Sequence, residues 1–174
     1  DCTARLYVSV RTRLEGDNGS ILHPSRVRLL RRMLRDKLYR SRDIADTLRM
    51  FRSVQRGEER YIMPYKHRAT YEVDTFCPYE VSVYKTLLEA DMKVLTNAPE
   101  IAEISAVWET LTALSPELVP PRALIREFIG DSAFYRLRSR RGTSPDLEPK
   151  APPVCAVLTP VGRTADLVNF SVGG

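Results

Sequence analysis

The chain has 174 residues, 43% hydrophobic and 28% charged, with a formal net charge of +5. That is enough apolar content for one ordinary domain burying about two-thirds of its unfolded surface. It excludes disorder throughout, a collagen-like repeat and a disulfide-built mini-protein.

The first expected element is a strand at residues 4–10 (ARLYVSV), read as buried, followed by a loop at Glu15-Gly16-Asp17-Asn18-Gly19. Because the sequence opens on this strand without an initiator Met, Asp1 is expected to be an internal point of a longer polypeptide. Pro24-Ser25 starts a helix through Arg40, in which Val27, Leu30, Leu34 and Leu38 form the apolar stripe. Arg28, Arg31, Arg32 and Arg35 are left on its other faces. Ser41 is expected to cap a second helix carrying Ile44, Thr47, Leu48 and Phe51. After Gly57 a short helix should run to about Ile62 and stop at Pro64, and residues 71–76 (YEVDTF) read as a second strand. Pro78-Tyr79-Glu80 open a long helix to about Leu95, with Val81, Tyr84, Leu88 and Leu95 on one side. Pro99 opens another with Ile101, Ile104, Val107 or Trp108, and Leu111 inward. Pro116, Pro120 and Pro121 interrupt the pattern, and residues 123–129 resume it before Gly130. Residues 144–153 read as a proline-rich linker and 154–158 as an edge strand. Two short strands are marginal by themselves, so they are expected to belong to a larger α/β sheet with further strands upstream.

The charge is strongly segregated. Residues 26–68 carry 14 Lys/Arg against 5 Asp/Glu, whereas 69–135 carry 4 against 11. Something anionic should face the basic segment, either phosphate or the acidic half of the chain itself. The sharpest cluster is Arg31-Arg32-Met33-Leu34-Arg35-Asp36 followed by Arg40-Ser41-Arg42-Asp43. Arginine forks bind oxyanions bidentately and stay charged when desolvated, and two helices meeting at a tight junction can close over a ligand and exclude water. The plain alternative is a solvated basic face paired with Asp36, Asp43 and Asp46, and a third is RNA backbone contact. In Gln55-Arg56-Gly57-Glu58-Glu59-Arg60, Gly57 offers a turn or close backbone approach, weighed against simple local salt bridges.

Other chemistry finds little support. His23 and His67 are the only histidines and neither has metal-ligand spacing to a cysteine or to the other. Cys77 reads as a small buried thiol. No GxSxG, HExxH or GxxxxGK[ST] motif occurs, so the backbone cradle for a nucleotide β-phosphate is missing from these residues. Three widely spaced cysteines, Cys2, Cys77 and Cys155, make neither a disulfide framework nor a metal knuckle, so an intracellular, reducing compartment is expected, cytoplasmic by default or organellar. No apolar run approaches the roughly 18 residues of a membrane span, and no membrane partner is expected.

With these residues in view, the chain resembles the carboxyl-terminal half of the phosphoribulokinase/uridine kinase family, most closely its bacterial-type nucleoside kinase branch. The resemblance runs from about Ala4 to Phe134 through ARLYVSV, RVRLLRRMLRD at 26–36, ADTLRMFRSVQRGEERYIMPY at 45–65, YEVSVYK at 79–85 and ALIREFIGDSAF at 123–134. It implies an α/β fold, the helix-rich half of a P-loop kinase: residues 1–139 with a lid at about 26–62 and a helical scaffold at about 79–135, then a tail at 140–174. The family's RRxxRDxxxRGR segment matches residues 31–42, which implies that Arg35, Arg40 and Arg42 are lid arginines approaching ATP phosphates and that Arg32 lies toward the acceptor. The complete kinase is expected to use ATP and Mg²⁺. No catalytic residue or metal ligand is carried by this chain, and the phosphate loop, the Mg²⁺ carboxylate and the base belong to the family's amino-terminal half. That half, upstream or as a second chain, is the expected partner.

The departures are specific. The lid glycine is Ser41, which is expected to lose easy access to positive φ. Ala69-Thr70 and Asp74-Thr75 replace the family's Ala-Asp and Asn-Ser pairs, and Gln55 replaces an arginine. The resulting expectation is the lid-bearing portion of an ATP-dependent nucleoside or uridine-type kinase, inactive alone. The alternative is a non-catalytic kinase-fold module in a larger, RNA-containing assembly, with an acidic protein or RNA as partner.

Overall fold

The computed structural model describes residues 3–95 and 98–134, together with the backbone of residues 157–160 and 168–169. It is helix-rich, with its strands in two small three-stranded sheets. Strand β1 (Leu6–Ser9) pairs in parallel with β4 (Tyr71–Asp74), Leu6 opposite Tyr71 and Ser9 opposite Asp74. Parallel neighbours cannot be joined by a tight hairpin, and the long crossover here includes α1 (Pro24–Arg40) and α2 (Ile44–Tyr61). Strand β5 (Val157–Pro160) adds antiparallel to the far side of β4, overlapping the strand expected at 154–158. The linker at 144–153 lies outside the described residues, as do residues 154–156 and both Cys2 and Cys155.

The loop expected after β1 is instead a small hairpin. Strand β2 (Leu14–Glu15) pairs antiparallel with β3 (Ile21–Leu22), and the backbone of β6 (Val168–Asn169) lies parallel to β2. The turn residues were legible, with Gly16 and Ser20 closing the loop and Gly19 at φ 75°. The two-residue strands they connect carry too little pattern to be seen in sequence. β1 is not a buried strand either. It forms one end of its sheet among the described residues, and Leu6 and Val8 are 59% and 58% exposed.

α1 begins as expected, with Pro24 in its first turn and His23 as the capping residue. Its buried face holds Val27, Leu30, Met33 and Leu34, but Leu38 is half-exposed because the helix outruns the core. The helix ends at Ser41 in the left-handed conformation, φ 48°. A serine at this junction therefore does not prevent positive φ. Ser41 closes α1 and does not cap α2. Asp43 caps it, its carboxylate accepting from the Ala45 amide at 3.3 Å. α2 then runs unbroken through Gly57, where a Cβ would meet nothing within 4 Å, so no turn or close approach uses that glycine. A 3₁₀ helix (Met63–Arg68) containing Pro64 leads to β4.

The remaining helices are α3 (Glu80–Met92), α4 (Pro99–Trp108) and the short α5 (Arg126–Ile129). α3 and α4 end earlier than their patterns suggest, leaving Leu95 and Leu111 partly buried just beyond them. α5 fills only the last turn of the pattern at 123–129. Val81, Tyr84 and Leu88 of α3 join the core against α1, and Ile101 and Ile104 of α4 extend it where α4 packs on α3 and β3. Cys77 is buried as read from sequence.

The segregated charge resolves largely into contacts between the two halves. Arg26 forks onto Glu103 at 2.7 and 2.9 Å, Lys37 reaches Asp91 at 2.5 Å, and Arg52 forks onto Glu100 at 2.8 Å twice. Arg31 pairs with Glu80 inside the core. The acidic helices are thus the counterion of much of the basic segment. Among the described residues no helix is long and apolar enough to cross a membrane.

Candidate anion-binding cleft

Not all of that positive charge is neutralised. A cleft of about 430 Å³ lies between one face of α1, the facing side of α2, and β1. On α1, the positions 28, 31/32 and 35 stand one helical turn apart, and all four arginines there line the cleft. Opposite them are Leu6 to Val10 along β1, Phe51, Val54 and Glu58 of α2, Thr75 just after β4, and Phe128. Ser9 and Thr75 stand at the carboxyl ends of the two parallel strands, where open α/β sheets commonly place ligands.

The four arginines differ in what holds them. Arg28 is paired with Glu58 across the cleft. Arg31 is held by Glu80 and by Thr75, whose carbonyl accepts at 2.6 Å and hydroxyl at 3.0 Å. Among the described residues Arg32 has only a distant charge contact, its Nε 3.8 Å from the Asp36 carboxylate, and that Nε is buried without a hydrogen-bond partner there. Arg35 Nε is likewise buried and unpartnered, and Arg35 makes no ion pair among the described residues. Buried N–H donors without acceptors are costly and uncommon in native proteins. Arg32 and Arg35 thus bring guanidinium charge to the cleft that the described carboxylates leave largely unneutralised.

Arg40 and Arg42 are held elsewhere. Both turn onto the fully buried carboxylate of Asp36, Arg40 at 3.0 Å and Arg42 at 3.3 Å, with the Thr47 hydroxyl donating to it at 3.4 Å. Arg42 also closes the junction through its backbone N–H to the Asp36 carbonyl at 3.1 Å. Of the four arginines singled out in sequence, the structure therefore brings Arg32 and Arg35 into the cleft and gathers Arg40 and Arg42 around Asp36. Arg28 and Arg31 complete the cleft. Their i, i+3, i+4, i+7 spacing with Arg35 was the available signal, masked by the denser run at 31–42. Of the aspartates expected as surface partners, Asp46 pairs with Arg49 and Asp43 serves as the cap.

Among the described residues, no group of three or more His, Cys, Asp or Glu side chains is placed to hold a metal ion. Comparison of the chain with family models, curated proteins and solved structures yields no match.

Proposed function

We propose that the cleft binds a phosphate-bearing ligand, and that the chain supplies the arginine-rich half of a nucleoside-kinase-like phosphotransferase. One observation supports this reading: four guanidinium groups line one cleft, and two of them, Arg32 and Arg35, have no close carboxylate partner and an unpartnered Nε among the described residues. The apolar face of Leu6 and Val8 beside them suits the body of a nucleotide, and the arginines suit its phosphates. In phosphoryl transfer, cations positioned on the equatorial oxygens stabilise spreading negative charge, which is the part Arg32 and Arg35 would take. Arg40 and Arg42 could join only by leaving Asp36, so they act as a reserve of charge at the helix junction. Turnover is proposed only for a form that also contains a phosphate loop.

The test is a thermal-shift titration of the chain with ATP and, separately, pyrophosphate. Ligand at 100 times its dissociation constant stabilises by about 2.7 kcal/mol. The shift should be lost in Arg32→Ala and Arg35→Ala and largely kept in Arg40→Ala. An equal shift in Arg32→Ala/Arg35→Ala and the unmodified chain would remove the basis for this assignment.

A further inference from the structure

Beside the cleft, the structure leaves a second basic surface uncovered. Residues 60–71, RYIMPYKHRATY, contain no carboxylate, and the 3₁₀ helix within them buries none of its residues. Tyr61 is 65% exposed and Tyr65 54% exposed. A shallow groove of about 260 Å³ runs between this helix and the start of β1, lined by Arg5, Tyr7, Tyr61, Tyr65, Lys66 and Arg68.

Cations and rings are interleaved there. The Arg68 guanidinium sits 4.7 Å from the Tyr65 ring centroid, Lys66 5.1 Å from that of Tyr7, and Arg60 5.4 Å from that of Tyr61. Lys66 also lies 3.3 Å from Glu72. Among the described residues Arg5, Arg60 and Arg68 have no carboxylate within ion-pair distance, whereas Arg26, Arg31, Lys37 and Arg52 on α1 and α2 each pair with the acidic half. Arg5 and Arg68 in the groove and Arg60 beside it, without a carboxylate partner among the described residues, lie next to exposed phenol rings and call for an anion that carries flat faces.

We propose that this groove docks single-stranded nucleic acid, with bases stacking on Tyr65 and Tyr61 and phosphates meeting Arg5 and Arg68. Base–aromatic stacking beside a cationic track is how unpaired strands are held without sequence preference. A duplex hides its base faces and offers nothing to these rings. An acidic peptide would satisfy the cations but leave the phenol faces unused. The groove does not depend on the cleft assignment, since neither Tyr65 nor Arg68 lines the cleft.

The experiment is fluorescence polarisation of labelled oligo(U), about 12 nucleotides long, against the full chain between about 50 and 200 mM salt. Affinity should fall steeply with salt and be weaker for a duplex of the same length. Tyr65→Ala should weaken binding about tenfold, with Tyr65→Phe retaining it, while the thermal shift with pyrophosphate is unchanged. Arg68→Gln should reduce the salt slope by about 0.7, the value for one phosphate contact on a single strand. Absence of oligo(U) binding at the lowest salt would overturn the proposal. So would unaltered binding in Tyr65→Ala, loss of binding through Arg32→Ala/Arg35→Ala alone, or tighter binding of a glutamate-rich peptide than of oligo(U).

Discussion

Arg31 clasps Glu80 through two hydrogen bonds, Nε to Oε2 at 2.7 Å and Nη2 to Oε1 at 2.9 Å, and the carboxylate is completely buried. The same carboxylate accepts from the Tyr84 hydroxyl and the Cys77 amide, each at 2.9 Å. The guanidinium gives two further hydrogen bonds to Thr75 and lies 5.1 Å from the centre of the Phe128 ring. Burial, with the Glu80 charge beside it, pushes the Tyr84 phenol well above the usual tyrosine range. The network ties α1 to α3 and fixes the Thr75 end of the cleft.

Removing one partner of such a pair strands the other in low dielectric. Glu80→Ala should therefore cost about 3–5 kcal/mol in urea denaturation. Arg31→Met/Glu80→Leu, which removes both charges and keeps the volume, should recover the part of that loss due to the stranded charge, while the Tyr84 hydroxyl and Cys77 amide stay without their acceptor. A double variant as unstable as Glu80→Ala would mean that shape, and not the stranded charge, governs the site.

Asp36 makes a different prediction because its partners outnumber it. Arg40, Arg42 and, more distantly, Arg32 all face this one buried carboxylate. Asp36→Asn leaves the arginines without their counterion and should lower stability by about 3 kcal/mol. Pyrophosphate should then raise the melting temperature more in Asp36→Asn than in the unmodified chain, since the freed Arg40 and Arg42 gain an anion to bind. Equal shifts in the two proteins would show that these arginines stay at the junction.

Much of this organisation was readable in sequence, and the misses have identifiable causes. The apolar stripe of α1, the proline starts of α1 and α4, and the facing of acidic on basic segments follow from spacing and charge that local physics enforces. Pairing with Asp36 was one of the readings of the basic face, but as a solvated contact; its complete burial beneath Arg40 and Arg42 depends on how α1 turns into α2. That turn rests on one left-handed residue, Ser41, which sequence offers no means to foresee. Likewise Arg31 looked like any surface arginine at helical spacing. Only the tertiary placement of Glu80, 49 residues away, makes it an interior group.

Ser41 and Gly57 invite exchange of their residue types. At φ 48° Ser41 carries a left-handed strain of about 1–2 kcal/mol, so Ser41→Gly should stabilise the chain by about 0.5–1 kcal/mol after the added freedom of the unfolded state. Gly57 lies inside α2 with open space around it. Gly57→Ala should add about 0.5–1 kcal/mol through helix propensity. Both gains would appear as higher denaturation midpoints with unchanged m-values. A loss of stability in Gly57→Ala would restore a structural need for that glycine.

His23 makes α1 sensitive to pH. Its Nδ1 accepts from the Ser25 amide at 3.2 Å and lies 2.8 Å from the Ser25 hydroxyl, so the ring caps the helix only while Nδ1 is unprotonated. Burial first, then the charges of Arg13 and Arg26, lower its pKa below the ordinary 6.5 against the opposing pull of Glu103. The folded protein thus binds this proton less tightly than the unfolded chain. The contribution is complete above about pH 6.5 and declines as the pH falls through the lower folded value. Glu100 and Glu103 are lowered from 4.5, first by their hydrogen bonds to Arg52 and Arg26, so their contributions are lost in a more acidic range. Between about pH 7 and pH 5 the denaturation midpoint should fall, and His23→Asn, which caps without titrating, should flatten that decline. An identical decline in His23→Asn would assign the pH dependence to another group.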